Sequence, residues 1–286
     1  MLEPFHQLAY RTEEATERMS ALGLDRPDLQ YFGGRLSALG PISMPLAVAV
    51  LFGFEPEYVG RAVPEVWSKA SPESIVSARV ASVDATFRRV LGDEVGAPAV
   101  VAAAALARRA VGSCDLAGRP MAAAHFALPW PEPAHLQLWH ACTILREHRG
   151  DAHWAVTSAM GLDAVECHVL HAADGYMPHE VLQRVTGWSD EAWEAALGRL
   201  VARGLVSDRS RTTEEGARFK AELERRTDRL ASHPYAALTE VEQVALRDAV
   251  SPLVARLLDA GVAAIWKQRE DLWREPPAEI AGSAER

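Results

Sequence analysis

The densest group of titratable side chains lies in the string LWHACTILREHRGDAHWAV, residues 138–156. If this string is helical, four of these side chains share one face, because their spacing follows the helical period. A neutral imidazole titrates at about pH 6.5 and a neighbouring carboxylate fixes its tautomer, so such a pair can act as general base and general acid. The expected catalytic residues of this acid–base site are His140, Glu147, His148 and Asp151.

Other side chains of the string have the chemistry of ligand contacts. A guanidinium such as that of Arg146 or Arg149 can bind a substrate carboxylate or enolate through two parallel hydrogen bonds. His153 and Trp154 follow on the next helical turn, and His171 comes from a later helix. We therefore expect these five residues to bind the ligand.

Two further interpretations of the same string remain open. In the first, it is a solvated helix end with Asp151 as an N-cap, and Glu147 forms surface ion pairs that contribute only ~0–1 kcal/mol. In the second, it supplies a metal site. The candidate ligands are His140, Glu147 or His148, Asp151, and His168 or His171. Because the sequence has no HExxH string, we predict no metal.

The motifs of several common enzyme classes are absent from the sequence. There is no G-x-S-x-G string, P-loop or dinucleotide fingerprint, which argues against serine hydrolases, nucleotide triphosphatases and Rossmann oxidoreductases. The cysteines Cys114, Cys142 and Cys167 are odd in number and lack C-x-x-C spacing, as is typical of a reducing compartment. We expect no cofactor and a cytoplasmic location.

Composition restricts the class of partner. The 286 residues are 49% apolar, enough for a substantial core, and carry a net charge of −9. Proteins that bind nucleic acids or membrane surfaces draw affinity from clustered Lys and Arg, and no such block occurs here. No apolar run reaches the length of about 18 residues that a membrane span needs. DNA is therefore a disfavoured partner, and we expect no membrane contact.

The elements that must position these residues are predicted to be almost all helical. Predicted helices run over Pro4–Leu22, from a Ser71 cap to Gly92, over 98–111, and over 134–149, where Gly150 ends the helix. A next helix then starts at Asp151. The stretch 112–133, rich in proline and glycine, is the predicted connector between halves.

Residues 177–216 have the pattern of a helix-turn-helix followed by a wing. A helix from Pro178 to Val185, a turn at Gly187 and a second helix capped by Ser189 precede a short polar hairpin. Capping boxes or caps predict further helices from Asp163, Thr213 and Thr239, the last running towards Trp273.

The segment from about 161 to 262 resembles the winged-helix domain of the MarR regulators, which also ends in an L…GLV…T-x-x-G pattern. The resemblance implies a winged-helix fold whose long helices after the wing build a dimer interface. The string REHRGDxH, residues 146–153, also resembles a signature of an actinobacterial family of winged-helix-like proteins, and that similarity implies no role for its residues.

A segment earlier in the chain is similar in sequence to the MarR-like helix pair. Residues 44–67 share a Met-Pro start, a glycine-aromatic pair and a following glutamate with residues 177–200. An internal repeat predicts an all-α fused pseudo-dimer of two winged-helix-like halves with a small β-wing; chance similarity of two hairpins is the alternative. The predicted units are an N-terminal degenerate winged-helix-like half at 1–130, a central helical segment with the polar cluster at 131–160, a C-terminal MarR-like half at 161–275 and a disordered tail at 276–286.

A DNA-reading helix carries Arg, Asn, Gln, Ser or Thr near its N-terminus. Here the second helix instead opens with Asp190 and Glu191, and in the first copy Pro64 interrupts the equivalent helix. The positively charged side chains that could still contact the phosphate backbone of DNA weakly are Arg199, Arg203, Arg209 and Arg211. The sequence predicts degenerate DNA readout in both copies.

Together these patterns predict a small-molecule-binding protein with its ligand between the halves. We expect a monomer or a homodimer, and a candidate cofactor-independent cyclase, isomerase or lyase of specialised metabolism. The alternative is a ligand-responsive transcriptional regulator that binds DNA through residues 177–211.

Overall fold

A computed structural model describes residues 2–207 and 211–262 of the chain. These residues form fifteen α-helices and three short 3₁₀ turns. The helices are α1 Leu2–Gln7, α2 Glu13–Ala21, α3 Pro27–Leu36, α4 Met44–Val50, α5 Pro56–Gly60, α6 Glu65–Lys69, α7 Pro72–Leu91, α8 Pro98–Val111, α9 Pro120–Phe126, α10 Ala134–Ala159, α11 Ala164–Ala173, α12 His179–Thr186, α13 Asp190–Ala202, α14 Glu214–Ala231 and α15 Glu240–Asp259.

The apolar side chains form three buried clusters. The first joins α1, α7, α8 and α15 to the first half of α10, with Phe5, Phe87 and Leu257 at its centre. The second lies among α2 to α6, and the third packs α11 to α14 against Val156 near the end of α10. Helix α10 therefore connects the first cluster to the third, and its side chains face both.

Local capping signals are confirmed where the sequence predicted them. The Ser71 hydroxyl accepts from the backbone N–H of Ser74, and α7 ends at Gly92. Asp163 and Glu166 form a reciprocal capping box at the start of α11, and Thr239 forms one at the start of α15. The predicted continuation of α15 to Trp273 lies outside the described residues, as do the positions 263–275 and the tail at 276–286.

Two predicted helix boundaries are wrong. The expected helix over Pro4–Leu22 is divided into α1 and α2, and the Thr12 side chain caps α2 by accepting from Ala15 N–H. Gly150 does not end a helix, because α10 runs unbroken over 26 residues. Helices α1, α8, α9 and α14 all pack on α10, and this packing outweighs the ~1 kcal/mol that an internal glycine costs. Asp151 is consequently not an N-cap.

The wing is reduced in the described residues. They contain no strand, and a single antiparallel bridge pairs Val206 with Thr212. Ser207 N–H donates to the carbonyl of Arg211 at 2.8 Å beside that bridge. Arg209 lies outside the described part of the chain. The all-helical class is confirmed, whereas the predicted β-wing has only this bridge at its base.

Helix α15 crosses the predicted domain boundary. Helix α15 lies within the predicted C-terminal unit, 161–275, yet its side chains Leu253 and Leu257 pack in the first cluster with α1, α7 and α8. The predicted connector at 112–133 also contains a helix, α9. Among the described residues no single helix is long and apolar enough to cross a membrane; Pro72–Gly96 and Pro98–Val111 pass that test only when joined across a 101° bend.

Candidate functional site

Helix α10 turns the predicted catalytic side chains into the protein interior. His140, Glu147 and His148 are at most 3% exposed, and Asp151 is 8% exposed. The interpretation of this string as a solvated helix end is therefore wrong for these four residues. Because a buried polar group needs a partner, the contacts of each side chain decide what it can do.

Glu147 lies among three side chains that come from α1, α3 and its own helix. Arg35 Nη2 donates to Glu147 Oε2 at 3.1 Å, and Arg146 Nη1 donates to the same oxygen at 2.8 Å. His6 Nε2 lies 3.4 Å from Glu147 Oε1. The imidazole next to this carboxylate is thus His6, rather than the predicted His148.

The tautomer of His6 follows from its contact with Arg35. Arg35 Nη1 lies 3.1 Å from His6 Nε2, and a guanidinium only donates, so Nε2 must accept. The proton of the neutral ring is therefore on Nδ1, which has no partner among the described residues. Burial and then the charges of Arg146 and Arg35 hold the pKa of His6 well below its usual range. His6 Nε2 and Glu147 Oε1 consequently face each other with no proton between them.

A second buried guanidinium extends this group. Arg79 of α7 is 1% exposed, and its Nη2 donates to the Tyr10 hydroxyl at 2.9 Å. The guanidinium also lies 5.2 Å from the Tyr10 ring centre and 5.7 Å from that of Trp139. No carboxylate pairs with Arg79 among the described side chains, and its Nε has no hydrogen bond there.

Two more histidines complete what we term the Glu147 cluster. Burial, followed by the charge of Arg79, lowers the pKa of both His125 and His140, that of His140 to about 4. His140 packs edge-on against Trp130, with ring centres 4.9 Å apart. The Nε2 atoms of both histidines lack partners among the described residues. The members of the Glu147 cluster are His6, Tyr10, Arg35, Arg79, His125, His140, Arg146 and Glu147.

The remaining predicted catalytic residues, His148 and Asp151, make no side-chain hydrogen bond to Glu147 in the described structure, and both ring nitrogens of His148 lack a partner there. Asp151 Oδ2 accepts from Ala122 N–H at 3.0 Å, at the start of α9. Burial raises the pKa of Asp151 to about 6, in spite of this hydrogen bond. Burial and the charge of Arg119 lower the pKa of His148 to about 4, and the His148 carbonyl accepts from Arg119. Asp151 thus joins α9 to α10.

The predicted ligand-binding residues divide between the two faces of α10. Arg146 belongs to the Glu147 cluster, whereas Arg149 donates to Glu224 and Asp228 of α14. Three aromatic side chains lie on that second face: His153 and His171 stack with ring centres 5.7 Å apart, and Trp154 stacks on Phe52. The structure does not gather the five residues around one point.

The metal site considered from the sequence is not assembled. Glu147 pairs with arginines, Asp151 caps α9, and His168 Nε2 lies 2.8 Å from the carbonyl of Gly53, to which it donates. An exposed recess lies elsewhere, on the second apolar cluster. Its lining residues are Arg26, Pro27, Asp28, Tyr58 and Arg61, none of which belongs to the Glu147 cluster.

Sequence reasoning missed His6, Tyr10, Arg35, Arg79 and His125. Four of them come from short or distant helices and turns that carry no motif. Arg79 had a detectable signal, since it lies four residues from the buried positions Ile75 and Val83 on the same face of α7. A charged residue on an apolar face indicates a buried ion that needs a partner.

Helices α12 and α13 are the two helices that the sequence predicts as a helix-turn-helix pair. Gly187 ends α12 with a φ of 85°, and the Ser189 side chain caps α13. Arg199 donates to Glu166 at 2.7 Å and to Asp163 at 2.6 Å, and Arg203 donates to the Gly161 carbonyl. Two of the four predicted DNA-binding arginines therefore hold α13 against α11.

Comparison with known proteins gives one match. A family model described as a helix-turn-helix family matches residues 1–264. No curated protein and no solved structure matches the chain.

Proposed function

This chain belongs to the helix-turn-helix family whose model it matches, and we propose that a small anionic ligand binds at its Glu147 cluster. The ligand class is a compound with a carboxylate, phosphate or enolate group. Its anionic group lies against Arg79, with Tyr10 and His125 as further hydrogen-bond partners. The proposal concerns the N-terminal part of the chain and α10, outside the helix-turn-helix pair.

The observation that carries this proposal is the environment of Arg79. Burying a guanidinium without a counter-ion costs several kcal/mol, so natural proteins almost always pair one. Glu147 already accepts from Arg35 and Arg146, and among the described residues the contacts of the Arg79 guanidinium are the Tyr10 hydroxyl and aromatic faces. An anion from outside the protein would supply the missing charge through bidentate hydrogen bonds.

The same cluster has groups for proton transfer. His6 Nε2 and Glu147 Oε1 are 3.4 Å apart with no proton between them, so a proton taken from a bound ligand could be shared by both. This arrangement supports a cofactor-independent acid–base reaction such as a cyclisation, isomerisation or elimination. Since every member of the pair is buried, ligand entry requires a covering segment to move.

A MarR-like fused pseudo-dimer is the scaffold that we propose for this site. The two similar hairpins touch: Trp188 Nε1 donates to the Gly53 carbonyl at 3.0 Å, and Glu55 N–H donates to Thr186 O at 2.9 Å. Gly53 and Trp188 are both positions that the internal repeat aligns, Gly53 with Gly187 and Trp188 with Phe54. The packing of α15 on α1 and α8 supports an internal counterpart of the MarR dimer interface.

The family match itself favours a second candidate, a transcriptional regulator that binds DNA through residues 177–211. Two observations weigh against it. The exposed start of α13 carries Asp190 and Glu191, which would face phosphates, and Arg199 and Arg203 are already in contact with α11. The ligand-binding proposal therefore takes precedence.

The test compares Arg79→Met with the wild-type protein. Thermal unfolding is measured with and without phosphate, sulfate and a panel of mono- and dicarboxylates. A ligand at a hundred times its Kd stabilises the wild type by about 2.7 kcal/mol. We expect Arg79→Met to lose this stabilisation and to be at least as stable as the ligand-free wild type, because a buried unpaired charge has been removed.

Arg88→Met is the matched control, since Arg88 lies on the same helix but is exposed and pairs with Asp84. This variant should respond to anions as the wild type does. The proposal is overturned if no anion in the panel stabilises the wild type and native mass spectrometry of the gently purified protein shows no co-purifying acid. It is also overturned if Arg79→Met keeps the response.

A further inference from the structure

Three side chains with metal-ligand chemistry converge on the opposite face of α10 from the Glu147 cluster. His153 comes from α10, and Cys167 and His171 are one turn apart on α11. Each offers one ligand atom, and these atoms all lie within 4.8 Å of one another. His153 and Cys167 are buried, whereas His171 is partly exposed and leaves a route for an ion.

The distances are close to those of a coordinated ion. Cys167 Sγ lies 3.9 Å from His153 Nε2. In a tetrahedral zinc site, Zn–S of about 2.3 Å and Zn–N of about 2.0–2.1 Å place sulfur and nitrogen roughly 3.5 Å apart. The rings of His153 and His171 are nearly parallel, with an interplanar angle of 18°. The distance from Cys167 Sγ to His153 Nε2 therefore exceeds the coordinated one by about 0.4 Å.

Thr227 of α14 orients the His153 ring. Its hydroxyl oxygen lies 3.3 Å from His153 Nδ1. A ring that donates Nδ1–H to this oxygen keeps the lone pair of Nε2 directed at the thiol. Metal-bound histidines almost always donate their other ring nitrogen in this way. Thr227 is fully buried, so this contact is held by the packing of α14.

Glu224, one turn before Thr227, presents a carboxylate to the same place. Its Oε1 lies 3.8 Å from His171 Nε2, while its Oε2 accepts from Arg149 at 2.7 Å. Arg149 thus holds the Glu224 carboxylate beside the partly exposed His171.

We propose that His153, Cys167 and His171 bind a zinc ion whose fourth position is taken by water. Thiolate and imidazole are ligands that Zn²⁺ takes in proteins, and three protein ligands with a water are a common zinc arrangement. Cupric electron-transfer sites also use two histidines and a cysteine, and titration with copper distinguishes the two ions. Binding releases the thiol proton of Cys167 to solvent, because the thiolate is the ligand.

The ion would join α10 to α11, so it would stabilise the packing of these two helices. None of its ligands contacts the Glu147 cluster in the described structure, and the proposal is independent of the anion site. The side chain of Arg149 donates to Glu224 and Asp228 of α14, so it does not connect the zinc site to the Glu147 cluster.

The experiment uses the full-length protein stripped with a chelator and then titrated with Zn²⁺ alone. We expect about one equivalent of zinc by elemental analysis, a higher unfolding temperature and a proton released per ion. Titration with Co²⁺ as a spectroscopic probe should produce a thiolate-to-cobalt charge-transfer band. Cys167→Ala should lose the band, whereas Cys142→Ala, which alters an equally buried cysteine in the first cluster, should keep it.

Two milder variants keep the test decisive if Cys167→Ala does not fold. His171→Gln alters a partly exposed ligand and should abolish stoichiometric binding. Thr227→Val should weaken zinc affinity by about 10–100-fold, as the loss of an orienting hydrogen bond does elsewhere. Failure of the wild type to retain zinc after dialysis overturns the proposal, as does equal binding by His171→Gln. Tight binding of copper without zinc overturns the assignment of the ion.

Discussion

Arg35 and Glu147 form a hydrogen-bonded ion pair between α3 and α10, with 3.1 Å between Nη2 and Oε2. The two residues are 112 positions apart in the chain, and they are 5% and 1% exposed. A buried pair of this kind contributes little net stability, but the loss of one partner leaves the other charge uncompensated. The pair therefore fixes where α3 sits against α10.

Glu147→Gln should lower the free energy of unfolding by about 3–5 kcal/mol, because Arg35 and Arg146 then lose their shared carboxylate. Arg35→Met combined with Glu147→Gln should recover part of this loss, because the uncompensated guanidinium of Arg35 is then absent. Urea unfolding of the single and double variants completes the double-mutant cycle. Additive effects of the two substitutions would show that the pair has no such role.

Stability should fall steeply as the pH drops from about 6.5 to 4. Burial lowers the pKa of His140, His148 and His168 to about 4, so the neutral rings stabilise the folded state above pH 6.5 and that contribution is lost on acidification. Asp151, with a pKa raised to about 6, acts in the opposite direction: its contribution is present at low pH and is lost as the pH rises through about 6.

Three histidines bind a proton when the chain unfolds at pH 5, whereas Asp151 releases one. The chain should therefore take up a net of about two protons or more on unfolding at this pH. Calorimetry in buffers of different ionisation enthalpy measures this number. His140→Gln should reduce it by about one, because one buried ring no longer titrates on unfolding. An unfolding temperature that stays constant between pH 6.5 and 4.5 would contradict this account.

Local features of the fold were predictable from the sequence. Ser71, Asp163 and Thr213 cap helices through atoms two or three residues away, so a short window contains all the required information. Gly150 shows where such a window fails. Its preference to end a helix is weak, and packing from four other helices, invisible locally, keeps α10 continuous.

The candidate site was predictable only in part for the same reason. The density of titratable residues in α10 identified Glu147 and Arg146, yet their neighbours His6 and Arg35 come from α1 and α3. Spacing along one helix tells which residues share a face, and tells nothing about which distant helix covers that face. Arg79 reaches Tyr10 across 69 positions, a separation that no sequence motif connects.

Substitution of Arg199 and Arg203 by alanine should change stability rather than DNA binding. Both side chains contact Glu166, which is buried at the start of α11, so their loss should cost about 1 kcal/mol. Chemical unfolding measures this loss, and a gel shift at low salt against the protein's own upstream DNA measures binding. Arg218→Ala, at an exposed position of α14 outside residues 177–211, is the control. A tenfold lower DNA affinity of the double variant would instead favour the regulator.

Gly216→Ala should destabilise the packing of α14 against the end of α13. A Cβ at position 216 would lie 1.9 Å from the carbonyl oxygen of Leu205, a backbone atom that cannot move aside cheaply. That carbonyl also accepts from the Thr213 N–H, which fixes the start of α14 beside the exit of α13. Overpacking of this kind costs about 1–3 kcal/mol or more.

Gly198→Ala provides the matched comparison, since this exposed glycine lies inside α13 and an added Cβ meets nothing within 4 Å. It should stabilise the protein by about 0.4–1 kcal/mol, because alanine has the higher helix propensity. Urea unfolding of both variants separates the two effects. Equal stability of Gly216→Ala and the wild type would contradict this packing. It would mean that the start of α14 does not lie against the carbonyl of Leu205 after α13.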